Sequence, residues 1–199
     1  MTLASINVRS NVKALERSLS EAARKQIPFA TARALTLTAK LVQSRITREM
    51  PDIFDRPTPF TMRAVGVTPA KKTSLVATVF IKDAQAKYLE IEETGGTRTP
   101  AKTAFVLPAQ IKRNTYGNIP RGALQRAKAK GNVFVGTVHG VGGFWMRTSK
   151  GGVRLLVEFK AKASYKPIFK FNERAEAAAR RIFPARMRLS LDEAMGTAR

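Results

Sequence analysis

Three glutamates stand close together in a chain that holds few acids: Glu90, Glu92 and Glu93. Carboxylates are the oxygen ligands that Mg²⁺ and Ca²⁺ prefer. A metal site would need further carboxylates, and none occurs between Glu93 and Glu158. We therefore interpret the cluster as an ion-paired face directed at Lys or Arg, and we predict that its partners lie on a neighbouring copy of the chain. A metal-dependent enzyme that uses the three glutamates stays open as an alternative.

The sequence also lacks the residue patterns that other kinds of catalytic site require. A serine- or cysteine-type triad would have to use the single histidine, His139, yet no G-x-S-x-G surrounds a serine and the chain has no cysteine. Gly95-Gly96 and the glycines at 140–143 could bind phosphate, but neither G-x-x-x-x-G-K-[ST] nor G-x-G-x-x-G occurs. We expect His139 and these glycines to serve turns. The sequence therefore predicts no enzyme, no cofactor and no catalytic residue.

The charge of the chain is strongly basic, with 36 Lys and Arg against 14 Asp and Glu, a net charge of +22. Such a chain is attracted to polyanions. From Thr94 through Val157 there is no acid at all, whereas solvated surfaces usually mix both signs. We expect this window to face negative charge. The residues that we predict to contact DNA phosphates are Arg121, Arg126, Lys128, Lys130, Arg147, Lys150 and Arg154.

Any nucleic-acid contact should be independent of base sequence. The chain shows no helix-turn-helix, zinc-finger, RNP or KH signature, so phosphates rather than base edges are the expected targets. The aromatic pair Phe144-Trp145 could stack on bases, but we favour core packing on a strand. No apolar run approaches the roughly 18 residues of a membrane helix, and we expect no membrane partner.

The first 50 residues carry helical periodicity in two stretches. One apolar set recurs at steps of four and three: Val8, Val12, Leu15, Leu19 and Ala22. A second set shares a face: Ala32, Leu35, Ala39, Val42 and Ile46. Since Pro28 separates the two sets and Pro51 follows them, we predict a helical arm over 1–50. It forms either a hairpin with its joint at Pro28 or one long kinked helix, and it ends at Pro51.

The remainder of the chain predicts an α+β fold with a central antiparallel sheet and long loops. Residues 51–160 form a β-rich basic body, whose strands are RAVGVTP, SLVATVFIK, NVFVGTV, GFWMR and RLLVEFK. A short helix or strand covers Asp83–Glu93, irregular chain covers 94–119, and a basic helix covers Pro120–Lys130. Residues 161–199 form a C-terminal helical segment, kinked at Pro184, with one apolar face. The apolar face of this C-terminal segment consists of Ala175, Ala178, Ala179 and Ile182. We treat 1–199 as a single domain.

Five short stretches occur in an order that resembles a known family. They are Arg48-Glu49-Met50-Pro51, Tyr88-Leu89-Glu90 with Gly95-Gly96, Pro108-Ala109, Tyr165-Lys166-Pro167-Ile168, and Pro184 in a basic helix. The chain resembles the minor tail protein Z family of lambda-like tailed bacteriophages and the related tail-completion (neck) proteins of long-tailed phages.

The resemblance implies a structural virion protein at the head-proximal end of the tail, assembled in the host cytoplasm. Its implied partners are the tail terminator, the tail tube and the head–tail connector, in a homo-oligomeric ring of six-fold symmetry. On this interpretation the basic window lines or contacts the DNA channel. The alternative from another class is a free, sequence-independent nucleic-acid-binding protein, either a packaging or a ribosome-associated factor.

Overall fold

The computed structural model describes residues 5–9, 21–101 and 103–196, which divide into two compact units. Unit 1 comprises residues 1–93 and 168–199, and unit 2 comprises residues 94–167. The predicted α+β class is confirmed, with about 45% helix and 25% strand in antiparallel sheets. The predicted three-part division of one domain stays a prediction. None of the helices in the described ranges is long and apolar enough to cross a membrane.

Unit 1 joins a three-stranded antiparallel sheet to two long helices. Its elements are β1 (Ser5–Arg9), α1 (Glu21–Ile53), α2 (Pro59–Met62), β2 (Val65–Thr68), β3 (Val76–Ile81), α3 (Asp83–Thr94) and α5 (Phe171–Gly196). The sheet order is β1-β3-β2. The predicted strands around β2 and β3 are confirmed, and so is the helix predicted over Asp83–Glu93. The last residue of α3, Thr94, is also the first residue of unit 2.

The N-terminal arm differs from its prediction. The helix expected from Val8 is wrong at its start, because Ser5–Arg9 pairs with β3 as a strand, and short apolar alternation fits either period. Residues 10–20 lie outside the described residues. Helix α1 passes through Pro28, so the hairpin alternative is wrong and a single long helix is observed, and this helix ends at Ile53 rather than at Pro51. The lost backbone hydrogen bonds are outweighed by burial of the face that follows Pro28.

The core of unit 1 confirms both predicted helical faces. The five residues predicted on α1 are at most 7% exposed, and Met50 continues that face to the end of the helix. On α5 the three predicted alanines are buried, and Ile182 packs against the core while partly buried. Two ion pairs join the helices near opposite ends and show that they run antiparallel. These pairs are Glu49–Arg174 and Arg33–Glu193.

Unit 2 contains two sheets and one short helix. Its elements are β4 (Gly96–Arg98), β5 (Phe105–Pro108), α4 (Ala123–Lys128), β6 (Val133–Val138), β7 (Val141–Arg147), β8 (Val153–Lys160) and β9 (Ala163–Tyr165). Strands β5-β8-β7-β6 form a four-stranded antiparallel sheet, and β4 pairs with β9. The predicted basic helix and the three strands β6 to β8 are confirmed.

Two parts of unit 2 differ from the prediction. The chain from Thr94 to Ala109, expected to be loop, contains β4 and β5. The segment from 161 onward, expected to be helical, begins with β9. Each of these strands has only three or four residues, which is too short for a periodic pattern to be visible in the sequence. Their pairing partners also lie 49 or more residues away along the chain.

The turn between β6 and β7 confirms the structural role predicted for His139. Val138 pairs with Val141, so the loop consists of His139 and Gly140 alone. Both residues have positive φ, at 50° and 76°. Two left-handed residues in a two-residue loop are the geometry of a type I′ hairpin turn.

Candidate anion-binding surface of unit 2

The basic excess of the chain is concentrated in unit 2. This unit carries fourteen Lys and Arg against one acid, Glu158, which gives a net charge of +13 in 74 residues. Unit 1 carries the other 22 Lys and Arg together with the other 13 acids. Glu158 accepts from Lys160 at 2.6 Å. Every other cation of unit 2 therefore has no acid left to pair with inside its own unit.

A cavity of about 330 Å³ lies between α4 and the four-stranded sheet. Its wall is mainly apolar, formed by Ile111, Pro120, Ala123, Ala127, Val133, Met146 and Leu156. Four cations also line it, Lys112, Arg126, Lys130 and Arg154, together with Gln110. Its lining contains no carboxylate. We call this feature the basic cleft.

The local fold explains why these cations converge. Arg126 and Lys130 are four residues apart at the end of α4 and in the turn after it, so they project on the same side. Arg154 is the cross-strand neighbour of Met146, and directly opposed residues in an antiparallel pair face the same way. Lys112 is brought there because Ala109 and Ile111 both donate their backbone N–H groups to the Leu156 carbonyl, at 3.0 and 3.1 Å.

The cations of the cleft keep hydrogen-bonding capacity. Arg126 donates one Nη2 hydrogen bond to the Arg121 carbonyl at 3.4 Å. A guanidinium carries five N–H donors, so this contact orients the group and leaves donors for a ligand. A carboxylate or phosphate matches the planar fork of such a group.

The structure brings three of the seven predicted DNA-facing residues together and adds Lys112 to them. The other four lie elsewhere. Arg121 lines a second cavity of about 560 Å³, beside Val106 and Leu124. Lys150 lies in the exposed turn between β7 and β8.

Lys128 and Arg147 each lie over an aromatic ring. The Lys128 Nζ is 5.2 Å from the centre of the Phe144 ring, and the Arg147 guanidinium is 4.5 Å from the centre of the Phe134 ring. Such cation–π contacts hold a cation at the surface while its charge stays available. Arg147 follows Met146 in β7, and successive residues alternate across a strand, so Arg147 and the basic cleft lie on opposite faces of the sheet.

The core role favoured for Phe144 and Trp145 is confirmed. Their side chains are 6% and 7% exposed, and Phe144 packs with Leu156 and Val157. The Trp145 indole donates to the Val141 carbonyl at 3.2 Å, so its polar group is satisfied inside the unit. Neither ring presents a face on which a nucleic-acid base could stack.

The acidic cluster has a role that the sequence did not reveal. The Glu93 carboxylate accepts hydrogen bonds from the backbone N–H groups of Phe171 and Asn172, at 2.6 and 3.3 Å. These are the first two residues of α5, whose N–H groups have no partner inside the helix. The signal in the sequence is Lys170, which precedes the helix and has no acceptor in its side chain. Glu93 therefore supplies from elsewhere in the chain the acceptor that Lys170 cannot provide.

The neighbouring glutamates are placed differently. The backbone carbonyl of Glu92 accepts from the N–H groups of Ile168 and Phe169, both at 2.9 Å, and partial burial raises the pKa of the Glu92 carboxyl. The Glu90 side chain is exposed. Among the described residues, no three acids or histidines lie together as a metal ion would require. The predicted contact of the three glutamates with a neighbouring copy stays a prediction, and Glu93 would have to release its helix cap to make it.

Comparison with models of protein families, with curated proteins and with solved structures finds no match for this chain.

Proposed function

We propose that this chain is a structural protein, not an enzyme, whose unit 2 contacts nucleic-acid phosphates without reading base sequence. The observation that carries the proposal is the charge of unit 2: thirteen cations of a folded unit have no acid of that unit to pair with. When Lys and Arg side chains neutralise phosphates, counterions are released from the nucleic acid, and this release favours binding whatever the base sequence. Such contacts position the nucleic acid and let it slide.

The setting that we propose is the head-proximal end of a long bacteriophage tail. There the chain would act as a tail-completion or neck component of the virion, in contact with the tail terminator, the tail tube and the head–tail connector. We propose a six-fold homo-oligomeric ring through which genomic DNA passes. This setting rests on the resemblance in the order of the five short stretches, whereas the contact with DNA rests on the charge of unit 2.

A second candidate is a free nucleic-acid-binding protein that acts in packaging or on ribosomes. One observation favours it: the basic residues of unit 2 lie on both faces of the four-stranded sheet, with Arg147 on one face and Arg154 on the other. A nucleic acid that wraps the unit would use both faces. A channel wall needs only one of them.

The location is tested on purified particles. Mass spectrometry of the phage should detect the chain as a stoichiometric component, and electron cryo-microscopy should find it at the head–tail junction in a ring. A particle that lacks the chain would reject the virion setting and leave the free nucleic-acid-binding protein as the function.

The DNA contact is tested on the isolated protein by fluorescence anisotropy with two duplexes of unrelated sequence. We expect equal affinities for both duplexes and a linear fall of log K with log salt concentration. The triple variant Arg126→Gln, Lys128→Gln and Lys130→Gln should lower the steepness of this line by about 3, roughly one per lost phosphate contact.

The matched control removes three exposed cations from unit 1: Lys40→Gln, Lys82→Gln and Arg181→Gln. It changes the net charge equally, so a purely global charge effect predicts the same change in slope for both triple variants. That result would overturn the assignment of the phosphate contacts to unit 2.

A further inference from the structure

We infer that the basic cleft binds an acidic segment of a partner protein, with one aliphatic side chain of that segment seated in the cavity. This binding site goes beyond the phosphate contacts proposed above. The cleft differs from the rest of the basic surface because it joins four cations to an apolar cavity. Its volume of about 330 Å³ falls in the range of about 300–1,000 Å³ that is usual for ligand pockets.

The apolar wall argues for a side-chain anchor. Phosphate contacts need no cavity, and single-stranded nucleic acid usually stacks its bases on aromatic rings. Among the residues that the structure describes, the apolar part of the cleft lining is aliphatic and includes no aromatic residue. The nearest aromatic of the core, Phe144, is buried and is covered by the Lys128 ammonium. An aliphatic side chain is therefore the complementary occupant, and it would contact residues such as Val133, Met146 and Leu156.

The charge of the cleft argues for an acidic segment. Lys112, Arg126, Lys130 and Arg154 surround one cavity, and no acid of unit 2 is free to offset them, since Glu158 is paired with Lys160. Like charges around a shared cavity repel, and the repulsion is screened less at a partly apolar wall than in water. A segment with carboxylates on both sides of its anchor would relieve this repulsion and match the Arg guanidinium groups in bidentate geometry.

The second cavity of unit 2 does not share these properties. In the described part of the chain, Arg121 is the only charged residue in its lining, beside residues such as Val106 and Leu124. The second cavity therefore lacks the concentration of positive charge that would select an acidic partner, and this difference in charge sets the basic cleft apart from it.

The experiment uses the full chain and two fluorescent peptides. One peptide has the sequence Glu-Glu-Leu-Glu-Glu, and the other replaces the central leucine by glycine. Burial of a leucine side chain should make the first peptide bind at least about tenfold more tightly, measured by fluorescence anisotropy near physiological salt. Equal affinities for the two peptides would show that charge alone is recognised and would overturn the inference.

Two variants assign the binding to the cleft. Ala127→Leu fills the cavity without changing the charge and should abolish the preference for the leucine peptide, while leaving duplex DNA affinity unchanged. Arg154→Gln should weaken both peptides several-fold, and it covers the case in which Ala127→Leu fails to fold. The matched control is Lys150→Gln, which removes the same charge outside the cleft and should weaken either peptide by less than about twofold.

The remaining outcomes are also decisive. If Ala127→Leu lowers DNA and peptide affinity equally, the cleft is part of the phosphate surface and holds no separate site. If the unmodified chain self-associates in analytical ultracentrifugation and Ala127→Leu abolishes this, the occupant is a second copy. Failure of the chain to bind the two DNA duplexes would not change the preference for the leucine peptide. The proposal of phosphate contacts and the proposal of a peptide site can therefore fail separately.

Discussion

Units 1 and 2 use their charged residues in opposite ways. In unit 1 thirteen acids accompany 22 Lys and Arg, and ion pairs form within the unit, as where Glu49 accepts from both Arg45 and Arg174. In unit 2 fourteen cations share Glu158. The acids of unit 1 therefore contribute ion pairs to its fold, whereas the unpaired charge of unit 2 supports our proposal that this unit contacts a polyanion.

The hydrophobic cores of the two units also differ, because unit 1 has the larger core. Among the described residues, the main buried cluster of unit 1 contains seventeen hydrophobic residues, whereas unit 2 buries four, namely Phe144, Trp145, Leu156 and Val157. Binding regions are usually drawn from the less stable parts of a protein, because the stable parts are those with extensive apolar packing. The smaller core of unit 2 thus agrees with the binding role that we propose for it.

The largest expected effect is on the core of unit 1. Ile46 is fully buried, and Ile46→Ala should lower the free energy of unfolding by about 2–5 kcal/mol through lost burial and the cavity left behind. Urea denaturation followed by far-ultraviolet circular dichroism measures this loss. The control is Leu189→Ala on α5, half exposed, which should change stability by less than about 0.5 kcal/mol. Equal losses would contradict the assignment of the core.

A smaller effect is expected at the sheet of unit 2. A Cβ added to Gly143 would lie 2.0 Å from the Val157 carbonyl oxygen, so Gly143→Ala must displace backbone, at about 1–3 kcal/mol or more. The single tryptophan, Trp145, reports this unfolding by fluorescence. Gly136 is the cross-strand partner of Gly143, and its Cβ would meet only ordinary contacts at 3.6 Å. Gly136→Ala should therefore be nearly neutral, and a loss equal to that of Gly143→Ala would refute the clash.

The smallest effects distinguish two neighbouring glutamates of unit 1. Glu93→Gln weakens the cap of α5 and should destabilise the chain by about 1 kcal/mol at neutral pH, measured by urea denaturation. Glu92→Gln is the matched control, because it removes the same charge one residue away without touching the cap. If both variants lose the same free energy of unfolding, the hydrogen bonds of Glu93 to the start of α5 do not contribute measurably to stability.

The Glu92 variant should also show its own pH dependence. Partial burial raises the pKa of the Glu92 carboxyl in the folded state above its unfolded value, so the folded state holds the proton more tightly. The stability that this provides is complete below the unfolded pKa and is lost as pH rises through the folded pKa. Relative to the parent chain, Glu92→Gln should therefore gain stability as pH rises from about 4. A difference in the free energy of unfolding between Glu92→Gln and the parent chain that stays constant across pH would contradict this expectation.

The sequence predicted the elements whose pattern is long and local. The buried face of α1 repeats over four turns, and the hairpin at His139-Gly140 carries its turn signal in two residues. The short strands β4, β5 and β9 were missed, since three or four residues have no readable period and their partners are remote. The strand at Ser5–Arg9 was mistaken for helix because pairing with β3, not local periodicity, decides its conformation.

The candidate site was predictable in composition but not in geometry. The acid-free window marks unit 2 closely, and the four-residue spacing of Arg126 and Lys130 brings them to one side of the chain at the end of α4 and in the turn after it. Which strand residue joins them depends on the register of β7 and β8, which shifts at an irregularity between Phe144 and Trp145. The addition of Lys112 depends on two hydrogen bonds to the Leu156 carbonyl, which no pattern in the sequence signals.

The pairing of β4 with β9 has a consequence for how the chain folds. Unit 2 interrupts unit 1 for 74 residues, and the Glu93 carboxylate must find the start of α5 across that interruption. Gly96 pairs with Tyr165, so the two strands form a stem that gathers the ends of the inserted segment. Once the stem has closed, only four residues separate its base from Glu93 and Ile168, and closing so short a connection is far less demanding than closing the whole segment. The stem thereby turns a contact of high sequence separation into an almost local one.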